Sequence, residues 1–144
     1  MKTGLATIAA VTMTLIGAGV PAAGAGTAAL PSDAPIGRWT NPKGTLAVET
    51  GPCVRGGLCG QIVWASERAQ AEARQAGIAD LIGTQLLQDY RRVGTGSWTG
   101  RVYVPDMGRS FSSRIRQTSA ATLSISGCLV DGLLCKSQVW HRVA

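Results

Sequence analysis

The chain has 144 residues and a formal net charge of +6, with 14 lysines and arginines against eight acidic residues. This length allows one domain with a hydrophobic core and excludes two. Most of the basic residues are single arginines, and Arg91-Arg92 is the only adjacent pair. Because a nucleic-acid site needs basic residues clustered on one face, the sequence predicts a solvated basic surface and no nucleic-acid partner.

The first 25 residues have the three parts of a secretory signal peptide. Lys2 is followed by an uncharged run that extends to Val20, and Ala23-Gly24-Ala25 matches the A-x-A cleavage pattern. A retained membrane anchor is the alternative, but this run is short for a transmembrane helix and contains glycines. We therefore predict that residues 1–25 are cleaved, and that the mature protein is periplasmic or secreted, without stable membrane insertion.

The four cysteines occur as two local pairs, Cys53 with Cys59 and Cys128 with Cys135. In an exported domain they predict two disulfides, and the short loops favour Cys53–Cys59 and Cys128–Cys135, although two crossed connectivities stay open. The spacing is too wide for the ligand pairs of a zinc site, and neither pair has the C-x-x-C spacing of redox proteins. No metal or cofactor is predicted.

Strands dominate the rest of the chain. After a lead-in at 26–36 that is predicted to be flexible, apolar residues recur mainly with a period of two, which is typical of half-buried strands. The predicted strands are Thr45–Thr50, Gly60–Trp64, Gln85–Tyr90, Ser97–Val104, Arg109–Gln117, Ala121–Gly127 and Ser137–Val143. Pro105 and Gly108 have the residue types of a tight hairpin turn. Residues 37–144 therefore predict one all-β domain of seven or eight antiparallel strands, either a sandwich or a barrel.

One segment, Ser66 to Gly77, consists of good helix formers. Ser66 is in a position to cap the helix, and Gly77 is a plausible end. The segment has almost no large apolar face, so it predicts a short helix that lies across the surface. A mobile lid over an opening and an inert crossover are both compatible with this pattern.

Catalytic constellations are absent from the sequence. His141 is the only histidine, and strand alternation places it on the solvent side. Asp106 lies in the hairpin turn, where an aspartate normally binds its own turn backbone. The acidic residues are spread out, and a serine nucleophile lacks both its G-x-S-x-G turn and its base. We predict no catalytic residue and no enzymatic activity, and an enzyme that uses the acids around the hairpin ends is the less favoured alternative.

Four groups of residues resemble the exported bacterial family known as domain of unknown function 2147 (DUF2147). They are Gly37-Arg38-Trp39, the run from Cys59 to Trp64, the run from Trp98 to Gly108 with Phe111 after it, and the run from Cys135 to Arg142. The resemblance covers the chain from Gly37 to Arg142, and the chain departs from the family pattern after Trp64. It implies a small lipocalin-like (calycin) β-barrel without an established activity.

A calycin barrel implies a structural closure at one end. In such a barrel, the Gly-x-Trp motif opens the first strand and places an indole across the end. An arginine of the last strand covers the indole face in a cation–π contact. Trp39 and Arg142 occupy these two positions.

The alternation also places polar side chains on faces that point inward. Ser113 shares a face with Phe111, and Gln138 shares one with Trp140. Because small-molecule pockets combine aromatic walls with a few polar groups, Trp98, Phe111, Ser113, Gln138 and Trp140 predict the site of a small apolar ligand. A barrel filled by its own core is the alternative, which would make the protein a structural or interaction module. The sequence identifies no protein partner.

Overall fold

The computed structural model describes residues 29–130 and 133–144, together with Gly17 and Gly19. The predicted signal peptide lies outside these ranges apart from the two glycines. The elements are β1 Gly37–Thr40, β2 Leu46–Pro52, β3 Leu58–Ala65, α1 Glu67–Gln75, β4 Gln85–Gly94, β5 Ser97–Val104, β6 Arg109–Ser119, β7 Thr122–Val130 and β8 Leu133–Val143. A short 3-10 helix, Pro105–Met107, connects β5 to β6.

These strands form one closed antiparallel barrel. Each strand pairs with its neighbour in the chain, and β8 returns to pair with β1, where Trp39 lies opposite Arg142. The structure confirms the predicted all-β barrel with one short helix and excludes the sandwich. Closure removes the two exposed sheet edges that an open sheet of the same strands would have.

The connections alternate between two ends of the barrel because each strand reverses the direction of the one before it. We call the end with the β1–β2, β3–β4, β5–β6 and β7–β8 connections the open end. The other end, which includes the segments before β1 and after β8, is called the closed end. Helix α1 and the 3-10 helix both belong to the open end.

The barrel interior is filled by large side chains that alternate inward along the strands. The largest fully buried ones are Trp39, Trp98, Tyr90, Leu58, Ile62, Leu87, Ile115 and Leu123. Gly100 allows one of them to fit. A Cβ atom at this position would lie 2.7 Å from Cγ of Tyr90, so only glycine leaves space for the Tyr90 ring against β5.

Helix α1 has the caps that its sequence predicts. The Ser66 side chain accepts a hydrogen bond from the Ala69 N–H at 3.1 Å, and Gly77 after the helix has a φ of 84°. Only Ala73 of the helix is fully buried, and it joins the hydrophobic core beside Leu81. Helix α1 is therefore held against the barrel by small side chains and by the segments that join it to β3 and β4.

At the closed end, the indole of Trp39 lies between the chain before β1 and the guanidinium of Arg142. Trp39 is 1% exposed, and its Nε1 donates to the Pro35 carbonyl and to Thr50 Oγ1, both at 3.3 Å. Arg142 covers the ring at 4.2 Å from its centroid. The structure thus contains the tryptophan–arginine pair that the resemblance implies.

Arg142 also explains the glycine of the Gly-x-Trp motif. Its Nη1 donates to the Ile36 carbonyl and its Nε to the Ala120 carbonyl, both at 2.8 Å. A Cβ atom on Gly37 would collide with Nη1 of Arg142, and the φ of Gly37 is 146°. Gly37 is therefore required both by the backbone conformation and by the path of the arginine.

The segment before β1 is attached to the closed end. The Asp33 carboxylate accepts hydrogen bonds at 3.0 Å from Arg92 Nε and from the Gly96 N–H. The hydrogen bonds from Arg92 hold the pKa of Asp33 below its ordinary value. Pro35 is fully buried beside Trp39. Residues 33–36 thus differ from the flexible lead-in that the sequence predicts over 26–36, because their contacts lie too far along the chain to be seen in local composition.

Both disulfides join the local pairs that the sequence favours. Cys53–Cys59 connects the two ends of the β2–β3 turn, with a Cα–Cα distance of 5.0 Å. Cys128 and Cys135 are direct cross-strand partners on β7 and β8, with a Cα–Cα distance of 4.0 Å. Each disulfide therefore links the two strands of one hairpin, and neither joins β1 to β8, where the barrel closes.

Replacement of Trp39 by alanine should destabilise the barrel by about 3–5 kcal/mol, because it removes a fully buried indole and leaves Arg142 without its partner. Trp64, which is 47% exposed on β3, provides the matched control. Its replacement by alanine should cost less than about 1 kcal/mol. Urea denaturation of both variants measures the difference, and equal midpoints would show that Trp39 does not hold the closed end.

Candidate ligand-binding cavity

An apolar cavity of 380 Å³ opens at the open end of the barrel. Its wall comes from β4 to β8 and from the β5–β6 turn. The lining residues are Leu86, Leu87, Val102, Val104, Met107, Phe111, Ile125, Gly127, Cys128, Leu129, Leu134, Lys136, Gln138 and Trp140. Most of these side chains are apolar, so the cavity offers a hydrophobic surface that is reached from solvent.

Trp140 is the largest aromatic side chain in the wall, and its orientation is set by a neighbour on the same strand. The residue is 5% exposed, and its Nε1 donates to Oε1 of Gln138 at 3.3 Å. Since Gln138 and Trp140 are two residues apart on β8, both side chains are on the inward face. The glutamine therefore satisfies the indole N–H and leaves the ring face to the cavity.

Polar groups in the wall are few. Lys136 is the only charged residue among the described residues that line the cavity, and it is exposed near the mouth. Arg109 approaches the same region from β6, with its guanidinium 5.8 Å from the centre of the Phe111 ring. A bound molecule would thus meet apolar side chains inside and positive charge at the entrance.

A second, more polar depression of 680 Å³ adjoins the cavity on the side of α1. The two share five wall residues, which are Leu86, Val102, Val104, Gln138 and Trp140. Arg68 and Glu72 of the helix line the outer part and form an ion pair at 2.9 Å. Helix α1 therefore borders the opening. The mobile lid and the inert crossover both stay predictions for this helix.

The structure divides the five predicted ligand residues into two groups. Phe111, Gln138 and Trp140 line the cavity, whereas Trp98 and Ser113 do not. Trp98 is 1% exposed and lies four residues before Val102 on β5, which is about 13 Å deeper along the strand. Ser113 is 7% exposed, and its hydroxyl donates to the Ser126 carbonyl at 2.6 Å. These two side chains belong to the core, because alternation specifies the inward face but not the depth.

Other wall residues were missed by the sequence analysis. Lys136 shares the inward face of β8 with Gln138 and Trp140, so its period-two spacing was a usable signal. Leu87 and Leu134 had no such signal, because β4 and β8 have irregular backbone near them. Asp89 and Leu134 both adopt positive φ, of 52° and 54°.

Tyr90 is a buried polar group that the sequence analysis also missed. It is fully buried, and its burial raises the pKa of the phenol well above the ordinary value. The Ser113 side chain acts in the opposite direction and lowers this pKa. The hydroxyl of Ser113, however, donates its own hydrogen bond to the Ser126 carbonyl. Within the described residues, the Tyr90 hydroxyl and the Trp98 indole N–H have no hydrogen-bond partner of good geometry. The interior below the cavity thus contains two donors that are not satisfied.

The residues considered for catalysis and metal binding are dispersed. His141 is exposed on β8, and Asp106 is exposed in the turn between β5 and β6. In the part of the chain that the structure describes, one group has its atoms close enough to hold a metal, namely Cys53, Cys59 and Asp89. Its two sulfurs are joined in a disulfide and therefore provide no thiolate ligands.

A closed eight-stranded antiparallel barrel with a tryptophan–arginine stack at one end and an apolar cavity at the other is a lipocalin-like barrel. The chain belongs to the bacterial family described as "Uncharacterized protein conserved in bacteria (DUF2147)", whose model matches residues 37–142. Both the resemblance and the fold predicted from the sequence are therefore confirmed.

A solved structure shows a similar fold. Protein HP1028 from Helicobacter pylori, described as belonging to the lipocalin family, is 16% identical, with a TM-score of 0.55 over 76% of this chain and 82% of that chain. At this identity the likeness concerns the fold alone. No curated protein matches the chain significantly.

Among the described residues, no helix is both long and apolar enough to cross a membrane.

Replacement of Tyr90 by phenylalanine should make the protein more resistant to alkaline unfolding. In the folded state the raised pKa keeps Tyr90 protonated, whereas the phenol of the unfolded chain titrates at its ordinary pKa of 10.0. Stability is therefore intact below about pH 10 and falls as the pH rises above it, because the unfolded state binds fewer protons. Tyr90→Phe should remove this part of the decrease.

The matched control is Tyr103→Phe, which changes the other, half-buried tyrosine of the chain. Denaturation midpoints at neutral and alkaline pH measure both variants. At neutral pH, Tyr90→Phe should cost little, because its hydroxyl has no well-formed hydrogen bond. A loss of more than about 1 kcal/mol at neutral pH would indicate that the hydroxyl is bonded in solution.

Proposed function

We propose that this protein is an exported, non-enzymatic binding protein whose barrel takes up one small, largely apolar molecule. The cavity at the open end carries this proposal. Its 380 Å³ falls in the range of small-molecule sites, and its wall combines apolar side chains with a few polar groups. The likeness to a lipocalin supports the same kind of site but does not identify the ligand.

The arrangement of the wall favours a molecule with an apolar body and one polar end. Most of the wall consists of apolar side chains such as Leu87, Val102 and Ile125, and Lys136 lies nearer the open end than Gln138, which is opposite Ile125. Burial of an apolar body provides about 25 cal/mol for each Å² removed from water, and the polar end stays near water and the lysine. Fatty acids and isoprenoid alcohols are the simplest molecules with this shape.

The filled part of the barrel limits the length of the ligand. Tyr90, Trp98 and Ile115 occupy the interior beyond the cavity and are all fully buried. A long chain could enter only if some of these side chains moved. The proposal therefore concerns one short or folded apolar chain and not a membrane lipid with two acyl chains.

The disulfides and the predicted signal peptide support export. Two disulfides indicate an oxidising compartment, and the family is bacterial. We propose the periplasm or the extracellular medium, with residues 1–25 removed. The intact mass of protein isolated from these fractions, before and after reduction, tests both parts, and a retained N-terminus would contradict cleavage.

A cavity-filling substitution tests the binding site. Val104 lines the cavity, whereas Val139 on β8 is 47% exposed and absent from the cavity wall. Val104→Phe should weaken the binding of lauric acid and farnesol at least about tenfold, because the larger ring occupies the cavity. Val139→Phe should leave binding unchanged. Native mass spectrometry and titration of tryptophan fluorescence measure both variants.

Ligand binding should also raise the thermal stability of the wild-type protein. A ligand at 100 times its Kd stabilises a folded protein by about 2.7 kcal/mol, which for a domain of this size is a shift of about 10 °C. The shift should disappear in Val104→Phe and persist in Val139→Phe. No shift across a panel of fatty acids, isoprenoids and polar metabolites would instead favour a structural or protein-interaction module.

A further inference from the structure

A hydrogen bond in the cavity wall fixes which atoms of Gln138 are available to a ligand. Nε1 of Trp140 donates to Oε1 of Gln138 at 3.3 Å. Because an indole N–H can only donate, the amide oxygen must face it, and the amide NH₂ group points away from the indole. Among the described residues, no protein group accepts a hydrogen bond from Nε2 of Gln138. Gln138 therefore presents the donor side of its amide.

These donors lie where the two depressions at the open end meet. Gln138 lines both the apolar cavity of 380 Å³ and the adjoining polar depression of 680 Å³. Its side chain is exposed, and its inward position on β8 directs this exposure into the cavity and not to the outer face of the barrel. A molecule in the cavity would therefore meet the amide N–H groups on the β8 side.

Lys136 adds a positive charge to the same side of the cavity. It precedes Gln138 by two residues on β8, so both residues are on the inward face, about 7 Å apart along the strand. Lys136 forms no ion pair with a described acid. In the described part of the chain, no aspartate or glutamate lines the cavity. The polar side chains on this wall are therefore donors, and one of them is cationic.

The charges of the adjoining depression balance each other. Lys43 and Arg68 line it together with Glu72 and Asp106. Arg68 and Glu72 form an ion pair at 2.9 Å. Lys43 and Asp106 are both exposed in connections between strands, so they contribute opposite charges in similar surroundings. A preference for one sign of charge must therefore come from β8.

We propose that Gln138 and Lys136 select a ligand that has a carboxylate at the end of a single apolar chain. This selection rests on the proposed function, because it assigns the polar end of the ligand in the same cavity. A carboxylate accepts hydrogen bonds at both oxygens and has no donor, so it matches the amide N–H groups and the lysine. An alcohol matches the amide but gains no attraction between charges. An alkylamine meets donors and a like charge.

The apolar chain of this ligand lies against the strands across the barrel from β8. Leu86 and Leu87 on β4 and Val102 on β5 form that part of the wall. The chain removes these side chains from water, while the carboxylate stays beside β8. The reverse orientation would place the carboxylate against apolar side chains without a donor, which is unfavourable because a charge removed from water needs a partner.

Decanoate, decanol and decylamine, which have the same number of carbon atoms, test this selection. At neutral pH the first is an anion and the last is a cation. Titration of tryptophan fluorescence gives the Kd of each for the wild-type protein. Decanoate should bind at least about tenfold more tightly than decylamine, with decanol between them, because hydrogen bonds to a charged group are replaced by repulsion between like charges.

Gln138→Glu changes the donors to an anionic acceptor with almost no change in shape. The new carboxylate still accepts from the Trp140 indole, but it repels an anion and attracts a cation. This variant should lose the preference for decanoate over decylamine, and Gln138→Glu combined with Lys136→Met should reverse it. The matched control is Gln75→Glu, which makes the same change at the exposed end of α1, outside the cavity wall. It should keep the wild-type order of the three ligands.

Two lysine variants locate the bound carboxylate. Lys136→Met should weaken decanoate binding about two- to fivefold, as expected for an ion pair in contact with solvent, and should leave decanol binding unchanged. Lys43→Met removes the same charge from the polar depression, away from the cavity wall, and should leave decanoate binding unchanged. Circular dichroism and thermal unfolding establish that each variant is folded.

Equal affinity of the wild-type protein for all three ligands would overturn the selection and leave the proposed function intact. Weaker decanoate binding in Lys43→Met but not in Lys136→Met would also overturn it, because the carboxylate would then lie in the polar depression. A change of ligand order in Gln75→Glu as large as in Gln138→Glu would assign the effect to net charge alone. Failure of the wild type to bind any of the three would contradict the proposed function itself, and the selection with it.

Discussion

The barrel depends on the contact between Trp39 and Arg142 across the seam where the first and last strands meet. β1 is only four residues long, so its hydrogen bonds to β2 and β8 provide few contacts. The stacked guanidinium adds a cation–π contact, and its donors satisfy two backbone carbonyls from different segments. One side chain thus joins the segment before β1, the β6–β7 turn and the aromatic core. Even the glycine at position 37 follows from it, because any side chain there would occupy the path of the arginine.

The interior of the barrel is divided into two regions that differ in the size of their side chains. Large rings fill the region beyond the cavity, where Trp39, Trp98 and Tyr90 are fully buried. Aliphatic side chains and Gly127 line the cavity and leave its volume open. This division explains why the fold can combine a rigid core with a ligand site in so few residues. The two donors without a partner of good geometry, on Tyr90 and Trp98, both lie in this ring-filled region.

The sequence was sufficient for the strands, the turns, the helix and the local disulfides, because each depends on residues close together in the chain. Period-two alternation also identified Phe111, Gln138 and Trp140 as inward. It did not show that Trp98 and Ser113, which have the same inward parity, lie deeper than the cavity wall, since depth is set by strand register and tilt. The approach of Arg101 to Arg114 on the outer face was missed for a related reason. Arg101 and Arg114 are distant in sequence, and only the pairing of β5 with β6 makes them neighbours.

The seam has a further consequence for the order in which the structure can form. The hydrogen bond from Arg142 to the Ile36 carbonyl spans 106 residues, and β8 is the strand that pairs with the free edge of β1. The hairpins can form early because their contacts are local and two of them contain a disulfide, whereas loop entropy delays contacts between distant residues. Until the last strand arrives, the sheet is an open ribbon with two unpaired edges and an uncovered indole. A folding chain is therefore vulnerable to aggregation until β8 pairs with β1 in the final step.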